Sequence, residues 1–194
     1  MMRILPYITC IAFLISVESS CVKEYSYEGG LREIIRDSIP LPDTIPEGTH
    51  LPSCSQCKNM EIVQGTWNFK FDTSMMCGKI TDAIKSPDGN GFTFFGPSTC
   101  SRDTGIVVTV FLKDQSLDVN FSDVTFTDVI FEYYDNKNQR DIFMWQKKDV
   151  FTLTVQAYDV VTRLMTGTFR GYVSTWDNLQ QEVKAGNFFI KFRE

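Results

Sequence analysis

The chain has 194 residues, 22% charged and 43% hydrophobic, with a formal net charge of −5 and one histidine. A chain this acidic lacks the clustered Lys and Arg that grip a phosphate backbone, so no nucleic-acid partner is expected. The lone His50 lies in a proline-rich stretch, which leaves no Ser-His-Asp arrangement and no His-based zinc catalysis.

In chain order, residues 1–20 read as a secretory signal peptide. Arg3 supplies the positive start, and the apolar run Ile8–Val17 is followed by Ser19 and Ser20. That ten-residue run is too short for a membrane span, which takes about 20 residues. Residues 21–53 read as a flexible tether. Pro40, Pro42, Pro46 and Pro52 fix φ and remove backbone donors there, so neither helix nor sheet is expected.

From Cys54 to residue 194 the pattern becomes that of strands. Trp67, Phe69 and Phe71 alternate with polar residues, as do Leu117, Val119 and Phe121, and again Phe151, Leu153, Val155 and Ala157. Alternation with period two predicts half-buried strands. The continuous apolar run Ile106–Leu112 predicts a central strand. "SPDGNG" (Ser86–Gly91) and "DNKNQRD" (Asp135–Asp141) are hairpin turns by composition, with a third at "DNLQQE" (Asp177–Glu182) before the last strand. The fold class predicted is all-β, an antiparallel β-sandwich or β-barrel of about 8–10 strands with no convincing helix.

Six cysteines are present. Cys10 falls in the signal and Cys21 at its end, leaving Cys54, Cys57, Cys77 and Cys100 for the folded domain. An even set of four in an exported chain predicts two disulfides, with three connectivities open. A Cys77–Cys100 bridge would contribute about 3 kcal/mol. Cys54 would then pair with Cys57; alternatively, each would reach into the sheet. "CSQC" also has the form of half a zinc site, but its second pair would be Cys77 and Cys100, 23 residues apart. No metal and no cofactor are expected.

Other chemistry is weakly represented. Asp118, Asp123 and Asp128 recur every five residues, which puts successive carboxylates on opposite faces of a strand and spoils an acid pair. "DNKNQRD" has Lys137 where a calcium loop needs an oxygen ligand and lacks its glycine. No P-loop, dinucleotide fingerprint or nucleophile elbow occurs. The chain is therefore read as a non-enzyme. Trp67 and Trp145 fall in strand patterns and are expected in the core, whereas Trp176, in "STWDN", is the candidate ligand contact.

The segment "SSCVKEYSYEGG" resembles the mature start of a Bacteroidota-type lipoprotein, with Ser19, Ser20 and Cys21 in the expected order and Glu18 where an apolar residue is usual. That resemblance implies diacylglyceryl and acyl (palmitate-type) modification of Cys21. It also implies an outer-membrane lipoprotein of the cell envelope, facing the periplasm or the surface, anchored by lipid and serving an unknown envelope partner or ligand. "VQGTWNFKF" is similar to the opening strand of lipocalin-like domains, with Gly65 and Trp67 in the Gly-x-Trp positions. "MTGTFRGYV" and "VKAGNFFIKF" resemble the closing hairpin of small β-rich lipoproteins. The functions implied are a non-catalytic binding or scaffolding domain, a lipocalin-like carrier of a small apolar ligand, or a glycan-binding accessory of an uptake system.

Overall fold

The computed structural model describes residues 54–58, 60–146, 148–175 and 178–193. The signal, the tether, His50, Cys21 and Trp176 lie outside the described residues.

Among the described residues, a 3-10 turn at Ser55–Cys57 is followed by eleven strands: β1 (Thr66–Phe71), β2 (Ser74–Lys79), β3 (Asp82–Lys85), β4 (Gly91–Pro97), β5 (Thr104–Phe111), β6 (Val124–Phe126), β7 (Val129–Asp135), β8 (Arg140–Met144), β9 (Phe151–Asp159), β10 (Leu164–Thr175) and β11 (Gln180–Lys191). All pair antiparallel in one curled sheet, a half-barrel in the order β2-β1-β11-β10-β8-β7-β5-β4-β3. The sheet branches at β10. Leu164–Gly171 pair with β9, which carries β6, while Ser174 and Thr175 pair with β8. Curling brings the end of β2 back to the chain after β4 through a Gly78–Ser98 bridge.

The two strongest turn signals are hairpins: Ser86–Gly91 joins β3 to β4, and Asp135–Arg140 joins β7 to β8. The third is shorter than its composition suggests, because Gln180–Glu182 already belong to β11. β1 puts Trp67, Phe69 and Phe71 in the core as its alternation requires, and β5 runs between β4 and β7.

Two readings of strands change. "LDVNF" forms no strand beyond a single Phe121–Tyr158 bridge. Ser116 Oγ accepts the Asp118 N–H and donates to its carboxylate, closing a local turn that competes with a ladder. Leu117 is buried but Val119 is 55% exposed. In β9 the inward series passes from Val155 to Tyr158, leaving Ala157 exposed, because one extra residue at Gln156 shifts the register against Thr166 and Gly167.

The concave side is packed with aromatic rings. Phe69 lies 5.7 Å from Trp67, 5.6 Å from Phe131 and 5.8 Å from Tyr133, centroid to centroid. Phe131 stacks on Phe151 at 5.0 Å, and Phe94 on Phe188 at 4.9 Å. Each such pair adds about 0.5–1.5 kcal/mol beyond area burial. Inward glycines make room for them. A Cβ on Gly78 would meet the Pro97 carbonyl and the Trp67 indole, and one on Gly167 would meet the Phe188 ring. Lys85 closes one end of the core, donating to the Leu117 carbonyl at 3.2 Å and lying over the Tyr158 and Phe192 rings.

Candidate functional site

The outward side chains of neighbouring strands fall into register and form a polar row. Thr125 of β6 sits opposite Thr154 of β9, Thr154 opposite Thr168 of β10, Thr168 opposite Asn187 of β11, and Asn187 opposite Asn68 of β1. Thr125 and Thr154 share a hydroxyl hydrogen bond at 2.8 Å, and Asn187 Nδ2 donates to Asn68 Oδ1 at 2.9 Å.

A depression of about 570 Å³ opens over this row, lined also by Thr152, Arg170 and Ala185. Its floor comes from a bulge. Ala185 is the extra residue of β11 against both neighbours, held at φ 47°, and Gly186 beside it faces the core, where a Cβ would meet the Phe169 ring. An alanine in the left-handed region costs about 1–2 kcal/mol, and such strain concentrates where a surface has a task. No acid lines the groove, while Arg170 supplies a guanidinium. Chemically, the groove offers hydroxyls that donate and accept, an amide, and one cation. Those groups suit a neutral or anionic polyhydroxylated ligand.

A second, smaller depression of about 190 Å³ lies where β3 meets the C-terminal end of β11, lined by Asp82, Lys191 and Arg193. Two of its three charges pair, Arg193 Nε to Asp82 Oδ1 at 2.6 Å.

The four domain cysteines form two disulfides, Cys54–Cys100 and Cys57–Cys77, with Cα separations of 5.8 and 5.4 Å. The Cys77–Cys100 bridge is therefore not the one formed; each cysteine of "CSQC" reaches a different segment instead. Cys77 is outward on β2, opposite Asn68, so the disulfides stand at the end of the polar row. Cys54, Cys57 and Cys77 are buried with Met60 and Met75 against them, in a cluster separate from the main core.

Trp67 is fully buried and Trp145 half-buried, its Nε1 donating to the Asp149 carbonyl at 3.1 Å. Asp118, Asp123 and Asp128 are all exposed; the first lies in the turn above, the second is in a left-handed turn at φ 56°, and the third sits between β6 and β7. The carboxyl that is raised is a different one, Glu132 on β7. Desolvation holds its carboxyl above the ordinary range, with a further push from the charge of Asp141. Neither depression includes it.

The groove residues were not legible as a site in the sequence. Each is an unremarkable polar position of an alternating strand, and only cross-strand registers place Thr125 and Asn187, 62 residues apart, on one surface. The raised carboxyl of Glu132 left no sequence signal at all. Compared with known proteins, the chain matches no family model, no curated protein and no solved structure.

Proposed function

We propose that this chain is a non-catalytic, lipid-anchored lipoprotein of the cell envelope whose β-domain binds a polyhydroxylated ligand, a glycan, in the outer groove. The observation behind this reading is the contrast between the two sides of the sheet. The concave side is filled by rings, whereas the convex side carries aligned hydroxyl, amide and guanidinium groups over a depression. Hydrogen-bonding grooves of this kind hold sugars by matching their hydroxyls, and they discriminate strongly because an unmatched buried polar group is penalised. The same contrast counts against a lipocalin-like carrier, which needs space inside the sheet for its apolar ligand.

The test is a glycan array followed by titration of hits. Thr154→Val with Thr168→Val removes the central hydroxyls with little change in shape, and Arg170→Ala removes the cation. Loss of binding in both variants, with Trp176→Ala as a further contact test, supports the groove. Binding that survives both places the ligand elsewhere. Anchoring is tested separately: Cys21→Ser should release the protein from membranes with loss of the lipid mass, and a variant still membrane-bound at unchanged mass refutes the anchor.

A further inference from the structure

Sulfurs from both disulfides converge, three of the four in one tight group. The Sγ atoms of Cys54, Cys57 and Cys100 all lie within 4.8 Å of one another, and Cys57 Sγ is 3.7 Å from Cys100 Sγ although these two are not bonded. Cys77 Sγ is not one of these three, but its bond to Cys57 tethers it to them. Among the described residues this is the one group of three or more metal-type ligands that converge. We propose that the reduced form of this cluster is a tetrahedral four-thiolate site for a soft divalent cation, zinc above all, so that the same sulfurs exist either as two disulfides or as one metal centre.

The geometry carries the proposal. With Zn–S bonds of about 2.3 Å, the edge of a ZnS₄ tetrahedron is about 3.8 Å. The Cys57–Cys100 contact already has that length. The bonded pairs need to open by about 1.7 Å, shared between two side chains each, and Cys77 Sγ must also turn toward the other three. Tetrahedral thiolate sites take a Cys-x-x-Cys turn plus a second close pair. The turn is present at Cys54–Cys57, where the Cys57 N–H donates to the Cys54 carbonyl at 3.1 Å. The fold supplies the second pair by bringing residues 77 and 100 together.

Hydrogen bonds hold that second pair without help from sulfur. The Thr99 N–H donates to the Cys77 carbonyl at 2.9 Å, Ser98 Oγ donates to the same carbonyl at 3.3 Å, and the Cys100 N–H donates to Ser98 Oγ at 3.2 Å. The Gly78–Ser98 bridge extends the same clamp. Reduction therefore leaves Cys77 and Cys100 in place. Burial of three of the four cysteines under Met60 and Met75 excludes competing oxygen ligands and favours a soft cation. Cys100 is exposed and gives a reductant its entry.

The chemistry balances. Each disulfide accepts two electrons and two protons from an external dithiol, which departs as its own disulfide. The four thiols then release four protons as four metal–sulfur bonds form.

The test uses the full chain reduced under inert gas by a water-soluble phosphine, which unlike a dithiol does not compete for metal. It is then titrated with Co²⁺ and Zn²⁺. Expected are one Co²⁺ per chain, the visible bands of tetrahedral cobalt thiolate, their loss when Zn²⁺ displaces cobalt, and protection of all four thiols from alkylation. Cys77→Ser and Cys100→Ser should each abolish the tetrahedral spectrum. Protection of Cys54 and Cys57 alone, an octahedral spectrum, or a reduced chain that loses its β circular dichroism and does not regain it with Zn²⁺ would each overturn the proposal.

Discussion

Removing the disulfides one at a time tests how the β-domain is held together. Cys54–Cys100 closes a loop of 46 residues and Cys57–Cys77 one of 20. The loop-entropy relation assigns these bonds about 4.0 and about 3.3 kcal/mol at 25 °C, against about 5–15 kcal/mol for the whole stability of an ordinary domain. The variants are Cys54→Ala with Cys100→Ala, and Cys57→Ala with Cys77→Ala, unfolded in urea without reductant. Cross-links act mainly on the unfolded chain, so each double variant should lose roughly 3–4 kcal/mol and also show a larger m-value, because its denatured state expands. The second pair is the more buried, so lost packing adds to its smaller entropic term and brings the two costs together. A loss below about 1 kcal/mol with an unchanged m-value would refute the reasoning, since loop closure would then contribute nothing.

Four further outcomes follow from named contacts. Gly78→Ala drives a methyl into the Trp67 indole and the Pro97 carbonyl, and should cost about 1–3 kcal/mol in thermal or urea melts. Asp149 accepts from Ser174 Oγ, Gln180 Nε2 and the Gln146 N–H, so Asp149→Ala should cost about 2–4 kcal/mol by leaving a fully buried hydroxyl unpaired; near-wild-type stability would show that the loop re-pairs. Ala185→Gly relieves the left-handed bulge and should stabilise by about 0.5–1 kcal/mol, and a loss of stability would mean that the alanine methyl packs usefully. The raised carboxyl of Glu132 binds its proton more tightly in the folded state than at the ordinary 4.5, so its contribution to stability falls as pH rises from below 4.5 through its folded value. Glu132→Gln should therefore flatten that part of the stability–pH curve, and an unchanged curve would assign the dependence to other groups.

The sequence carries most of the architecture because alternation is a local signal. Trp67, Phe69 and Phe71 face the core because period two leaves them no other face, and the Ser86–Gly91 turn needs only its own residues to form. The failures have a local and a long-range cause. Leu117, Val119 and Phe121 alternate correctly, yet a serine-turn hydrogen bond at Ser116 and side-chain donors to the Leu117 carbonyl from Lys85 and Tyr158 decide that segment. Those donors lie 32 and 41 residues away along the chain. Disulfide partners, the polar row and the desolvated Glu132 are likewise products of register between distant strands. No window of sequence contains them.

The disulfides also set a mechanical property. A load pulling on the chain from the N-terminal side of Cys54 meets covalent cross-links before it meets any hydrogen-bonded strand. Cys54 passes the force to the segment after β4 and Cys57 passes it to β2, at two points on the curled sheet where the Gly78–Ser98 bridge joins them. The load is divided between two strands rather than peeling β1 from β11 one bond at a time. With the sulfurs reduced and free of metal, the domain would unzip from its first strand at much lower force.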